Sequence, residues 1–126
     1  MPSQYGKGAR FEIVVRDILL EDDWVAVRSA GSHGIIDVLA IKQDTKWFIQ
    51  CRTRGNLSGS ERDELVALAK KHNAIPILAS EALLDVSLDS KLKVRKKKGV
   101  IFEEVKLLKP DFHYEFVKGR FTKVGN

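Results

Sequence analysis

Asp37 stands thirteen positions before Gln50, and Arg52 lies two beyond Gln50. Successive side chains of a strand point to opposite faces, so on one strand Gln50 and Arg52 share a face and Cys51 turns away. An acid at one strand end, opposite a polar-x-basic pair on the next strand, is the layout of a metal-dependent centre that cleaves phosphodiesters. Asp37 interrupts the otherwise apolar run Ile35–Lys42. A carboxylate there must be desolvated at a cost unless it is paired or bound to a cation. The amide oxygen of Gln50 can ligate a hard cation such as Mg²⁺ without adding negative charge. Arginine keeps its proton at ordinary pH, so Arg52 suits a phosphate clamp better than a general base.

Each of these residues also has a plainer role. Asp37 can be a salt-bridged strand-end acid with Arg52 as its partner, and Gln50 can simply hydrogen-bond at a strand end. Cys51, on the opposite face, fits a buried core thiol better than a nucleophile. Glu12 has Arg16 four residues on, the spacing of a solvated helical ion pair, or it projects toward the sheet end as a third acid. Ser29, Ser32 and His33 lie in the loop before Asp37, where Gly31 and Gly34 allow close backbone approach to a ligand. Their hydroxyls and amides could meet phosphate there.

Basic residues fall into two groups. Lys7, Arg10, Arg16, Arg28, Arg52 and Arg54 belong to elements that meet near this centre, whereas Lys91, Lys93 and Arg95–Lys98 form a separate run. Such a run is usually a solvated face, but it can also bind backbone phosphate.

The elements that must position these groups follow from periodicity. Phe11, Val14, Val15, Ile18 and Leu19 recur at three- and four-residue spacing and predict an amphipathic helix from about residue 5 to Glu21. Trp24–Arg28 reads as a strand, Ile35–Lys42 as a second, and Lys46–Thr53 as its hairpin partner. Ser58 and Glu61 have the spacing of a capping box, which predicts a helix through about His72, stopped by Asn73, with Leu65, Leu68 and Ala69 inward. Ile75–Ala79 is a fourth strand, with Pro76 at its start. Beyond Ser80 the pattern weakens. Ala82–Leu88 reads as a short helix or turn, Gly99–Leu108 as helix or strand, and Tyr114–Val117 as a final strand. The order implies an α/β sandwich around a mixed sheet, with the second helix as crossover.

At 126 residues the chain is expected to be one domain over 1–126. Hydrophobic residues make up 44% and charged residues 31%, a balance that excludes a disordered chain. No apolar run predicts a membrane span and no signal peptide opens the chain. The single cysteine excludes an internal disulfide framework and predicts a cytoplasmic protein, and no Cys/His spacing suits zinc. The formal charge of +5 points to a polyanionic partner, most often nucleic acid.

Four stretches carry a family resemblance. Lys7-Gly8 followed by Glu12 resembles the helix signature of the archaeal-type Holliday junction resolvases. Arg28-Ser-Ala-Gly-Ser32 resembles their Gly/Ser loop, and Ile36-Asp37-Val-Leu-Ala40 their acid-bearing strand. Phe48-Ile-Gln-Cys-Arg52 falls where that family has Glu-x-Lys. The match covers roughly residues 5–80. It implies a restriction-endonuclease-like fold, a central mixed β-sheet flanked by α-helices. It also implies a homodimer that binds four-way DNA junctions and nicks two strands symmetrically with Mg²⁺, or Mn²⁺ in its place. Carried over by position, Glu12 and Asp37 would bind or organise the metal, the carbonyl of Cys51 could complete its shell, and Ser32, or else Ser29, would sit near the cleaved phosphate.

Two positions depart from the pattern. Gln50 replaces Glu, as in the Gln-x-Lys of the Mrr-type branch of the fold, and Arg52 replaces Lys. The centre therefore loses a negative charge and its titratable base. Two alternatives stand beside the resolvase reading: a repair or restriction-type nuclease of the same fold acting on ordinary duplex, and a junction-binding protein whose catalytic centre has decayed.

Overall fold

The structure, a computed structural model, describes residues 6–29, 34–88, 94–106 and 112–125, with side chains described from 10 onward except at 85–97. Helix α1 spans Gly6–Glu21 and is followed by strands β1 (Val25–Arg28), β2 (Val38–Lys42) and β3 (Thr45–Arg52). Helix α2 (Gly59–Lys71) leads to β4 (Ile75–Leu88), β5 (Val94–Glu104), β6 (Phe112–Val117) and β7 (Arg120–Gly125). All seven strands form one sheet in sequence order. The β3–β4 pair is parallel and every other pair antiparallel. A parallel pair needs a crossover, and α2 provides it.

Side-chain alternation divides the sheet into two faces. Trp47 and Ile49 of β3, with Val38 and Ala40 of β2 and Ile77 and Ala79 of β4, pack against Phe11, Val15, Ile18 and Leu19 of α1. Phe48 and Leu78 turn the other way, onto Leu65 and Ala69 of α2. Rings extend the α1 face beyond the helix. Trp47 lies 4.4 Å from Trp24, 5.8 Å from Phe102 and 5.7 Å from Tyr114 between centroids, and Phe102 lies 5.2 Å from Phe121. Tilted contacts of this kind suit the ring quadrupole and add to the burial of apolar area.

The local chemistry explains where elements stop. Glu61 Nα–H donates to Ser58 Oγ at 3.2 Å while Ser58 N–H donates to Glu61 Oε1 at 2.9 Å, the reciprocal box that starts α2. Asn73, after the helix, takes a left-handed φ of 56°, which Asn tolerates better than most residues. Of the five apolar positions expected on the inner side of α1, Val14 instead remains 45% exposed.

Two expectations for the C-terminal third are corrected and one is decided. Ala82–Leu88 is neither helix nor turn but the outer half of β4, a 14-residue strand. The ambiguous segment from Gly99 lies on the partner strand β5, and Tyr114–Val117 is followed by a further strand, β7, that the sequence pattern missed. The long β4–β5 ribbon is closely held at Gly99, where an added Cβ would lie 2.6 Å from Phe116 O and 2.9 Å from Leu84 Cδ1. Among the described residues, no helix is long and apolar enough to cross a membrane.

Candidate active site

β2 starts at Val38, so Asp37 lies one step outside the strand rather than within it. Its backbone still belongs to the sheet edge, since Asp37 N–H donates to Ile49 O at 2.8 Å and Asp37 O accepts from Ser29 N–H at 2.9 Å. The β2–β3 register ends at Val38 opposite Ile49, and Asp37, bonded to the same Ile49 O, lies just beyond it beside the Ile49–Cys51 stretch of β3. The carboxylate is fastened to β3: Asp37 Oδ2 accepts from Cys51 N–H at 2.9 Å. Burial raises the Asp37 pKa above the ordinary carboxylate value. The Cys51 N–H opposes this, the Glu12 charge adds to it, and Arg52 and Arg28 lower it. Asp37, Glu12, Arg28 and Arg52 therefore share one electrostatic neighbourhood, as the sequence spacing suggests.

The pairing within that neighbourhood differs from the simple expectations. Arg16 does not reach Glu12 but bonds its own neighbour, Asp17, at 2.9 Å. Glu12 Oε1 instead accepts from Arg28 Nη2 at 3.2 Å and Nε at 3.3 Å, which ties α1 to the end of β1. Both partners are partly buried, so this pair is better shielded than an exposed one. Arg52 is not the hydrogen-bond partner of Asp37. Its Nη2 donates to Glu61 Oε2, the free oxygen of the capping-box carboxylate. Glu61 thus joins the start of α2 to the end of β3. Its pKa is held below the ordinary value, first by the Ser58 N–H and also by Arg52. Sequence reasoning assigned Glu61 to the helix cap alone; its position nine residues after Arg52 carried no signal of this second contact.

Gln50 Oε1 is buried and has no hydrogen-bond partner. A buried amide carbonyl left unpaired costs about 1–3 kcal/mol, so it marks a place where a ligand atom belongs. A divalent cation fits this orphan: hard cations accept neutral amide oxygens together with a carboxylate, and the Asp37 carboxylate is fastened to the same strand at Cys51. Cys51, whose carbonyl is the third candidate ligand, follows Gln50 directly and holds Asp37 through its N–H. Among the described residues, no group of three or more His, Cys, Asp or Glu side chains could hold a metal. The available set is thus poor in charge, as the loss of an acid at Gln50 implies. The Cys51 thiol packs against the α1-face core, and burial raises its pKa far above that of a free thiol, which makes it no nucleophile.

Of the other candidate residues, Arg10 and Arg54 are exposed and line one pocket together. Arg28 and Ser29 line a different groove on the α2 side. Ser32 and His33, and the side chain of Lys7, lie outside the described residues.

No family model matches the chain. It is 24% identical over 130 aligned residues to the crossover junction endodeoxyribonuclease Hjc of Methanocaldococcus jannaschii, covering 98% of this chain and 97% of that protein. The structure is similar to that of Archaeoglobus fulgidus Hjc, a Holliday junction resolvase, with a TM-score of 0.60 and 22% identity. That likeness covers 95% of this chain and 84% of the other. The mixed sheet with its two helices is the α/β restriction-endonuclease-like fold expected from the sequence.

Proposed function

We propose that this protein is a Holliday junction resolvase, an endodeoxyribonuclease that nicks four-way DNA junctions symmetrically as a homodimer and depends on Mg²⁺, with Mn²⁺ as a substitute. The observation that carries the reading is the buried, partnerless Gln50 carbonyl oxygen on the same strand end to which the half-buried Asp37 carboxylate is fastened. The likeness along nearly the whole chain to a crossover junction endodeoxyribonuclease supports the choice of substrate. The protein would act in the cytoplasm on DNA recombination and repair intermediates.

In this reading Asp37, Gln50 and the Cys51 carbonyl hold the cation. A divalent ion there supplies Lewis acidity and makes water a better nucleophile near neutral pH. Glu12 orients Arg28 at the entrance. Arg52 leaves Glu61 for the scissile phosphate, where its fork binds two oxygens and offsets charge growing in the transition state. Ser32 or Ser29 contacts that phosphate, and Lys7, Arg10, Arg16, Arg28 and Arg54 hold the flanking backbone. Val25 and Val27, 66% and 52% exposed, and Ile41 leave the α2 side of β1 and β2 uncovered, which supports association with a second copy. A twofold pair also matches the two equivalent cleavage points of a junction.

A cleavage gel on a synthetic four-way junction tests this. Paired nicks with Mg²⁺, lost in Asp37→Ala, are expected; intact junction in both Mg²⁺ and Mn²⁺ would exclude it. The substitutions at Gln50 and Arg52 favour one second reading, a junction binder with a decayed centre. It requires tight binding without cutting, and gain of cleavage in the double variant Gln50→Glu, Arg52→Lys.

A further inference from the structure

Lys98, the last residue of the basic run set apart in the sequence, does not stand on a separate face. β5 pairs with β4, placing Lys98 opposite Leu83 and on the same side of the sheet as the core residues Val100 and Phe102. That side is the α1 side. Lys98 there meets Arg10 of α1 and Arg54 of the turn after β3 around a pocket of about 530 Å³. Thr53 adds a hydroxyl, and Phe11 and Val14 form an apolar wall, which accounts for the exposure of Val14. One acid, Glu81 of β4, lines the same pocket and sits 3.4 Å from Lys98 Nζ.

We propose that this pocket is a second phosphate site, which holds the DNA backbone beside the cleavage point through Arg10, Arg54, Lys98 and Thr53. The proposal rests on the DNA-cleaving reading and adds to it. Three cations from elements far apart in sequence converge on a single cavity against one carboxylate, so the pocket carries a net positive charge suited to an anion. Their backbones are set on a helix, a turn and a strand held closely at Gly99. Thr53 and Arg54 follow Arg52 without a gap, and Thr53 has the alternation of Cys51 while Arg52 turns to the α2 side. A strand crossing the end of β3 would therefore leave one phosphate at Arg52 and present a neighbouring one to this pocket. Glu81 neutralises Lys98 until phosphate displaces it.

The test is the salt dependence of binding, read by fluorescence anisotropy with a labelled four-way junction and with linear duplex, without divalent metal, between about 50 and 200 mM salt. Lys98→Ala should lower the slope of log K against log salt by about one unit, and adding Arg54→Ala by about one more. Lys98→Arg should restore the slope, because it keeps the charge. Glu81→Gln should tighten binding by about threefold, the scale of a partly exposed charge contact. Lys98 is 71% exposed, so its replacement leaves packing untouched. A wild type that binds and cuts junctions while Lys98→Ala keeps the same slope would overturn this site alone. A wild type that binds no DNA would overturn both it and the reading it rests on.

Discussion

The two faces of the sheet are finished to different degrees. On the α1 side, helix residues cover β1 to β4 and an aromatic lattice from Trp24 to Phe121 continues over β5 to β7. On the α2 side, one helix packs over β3 and β4, while Val27 and Ile41 line a groove open to solvent and Val25 stands exposed on β1. The candidate centre belongs to neither core. Asp37 sits where the hairpin runs out, with Cys51 reaching back to the closed face and Arg52 reaching toward α2 through Glu61. The closed face supplies rigidity, and the open end leaves a carboxylate and an orphaned amide oxygen at the boundary with solvent. Binding groups on a rigid frame hold their geometry without having to be ordered at each encounter.

The sharpest way to break this division is at the centre itself. If Asp37 anchors the cation, Asp37→Ala removes several kcal/mol of transition-state stabilisation, about a thousandfold or more in rate. Single-turnover cleavage of a junction checks this, and a drop under tenfold would move the centre away from Asp37. Junction affinity without metal should not fall, since loss of a negative charge cannot weaken binding to a polyanion by electrostatics.

The packing contrast is next in size. Ile49 is fully buried on the closed face, and Ile49→Ala should cost about 2–5 kcal/mol, read from urea midpoints. Val27 is 52% exposed on the open face, and Val27→Ala in the monomer should stay within about 0.5 kcal/mol. A concentration-dependent loss above that for Val27→Ala would mean that a second copy closes this face. Gly99→Ala probes the same contrast in the ribbon: the new methyl meets Phe116 O, a backbone atom, so a loss of about 1–3 kcal/mol is expected.

Glu61 separates the two jobs that meet at the start of α2. Glu61→Ala removes both capping-box acceptance and the carboxylate that pairs with Arg52, at about 0.5–2 kcal/mol of stability. Glu61→Gln keeps an N3 acceptor for Ser58 N–H and removes only the charge. Near wild-type stability with tighter DNA binding for Glu61→Gln would show Arg52 released to phosphate. Unchanged binding would show that Arg52 never leaves Glu61.

Which parts were legible in the sequence follows the range of the interactions. The Ser58–Glu61 box and the α1 stripe are local, set by offsets of three and four, and both formed as expected save for Val14. The β2–β3 hairpin, which brings Asp37 to the end of β3, was legible because a short turn fixes its register. The pairs Glu12–Arg28 and Arg52–Glu61 join different elements, and no spacing rule fixes them. The long β4–β5 ribbon was hidden because its outer half carries a lysine run, and strands rich in lysine lack the apolar alternation by which strands are recognised. β7, Arg120–Gly125, is short, mostly exposed and polar, and it is held by pairing with β6 rather than by its own pattern.

The finest effect distinguishes a strained acid from a satisfied one. Burial raises the Asp37 pKa, so the folded protein binds this proton more tightly than the unfolded chain does. The group then favours folding fully below its unfolded pKa, and that contribution is lost as pH rises through the folded value. Without metal, the ionised Asp37 should therefore weigh against the fold at neutral pH. Asp37→Asn keeps an oxygen for Cys51 N–H and carries no charge. It should be more stable than wild type at neutral pH, and the gap should close on acidification as wild-type Asp37 gains its proton. Mg²⁺ should narrow the gap from the other side, by stabilising wild type and leaving the variant unmoved. Urea midpoints across pH, with and without Mg²⁺, read both trends. An Asp37→Asn that is less stable than wild type at neutral pH without metal would mean that the Cys51 N–H and the nearby arginines already satisfy the carboxylate, leaving the orphaned Gln50 oxygen without the charged partner on which cation binding depends.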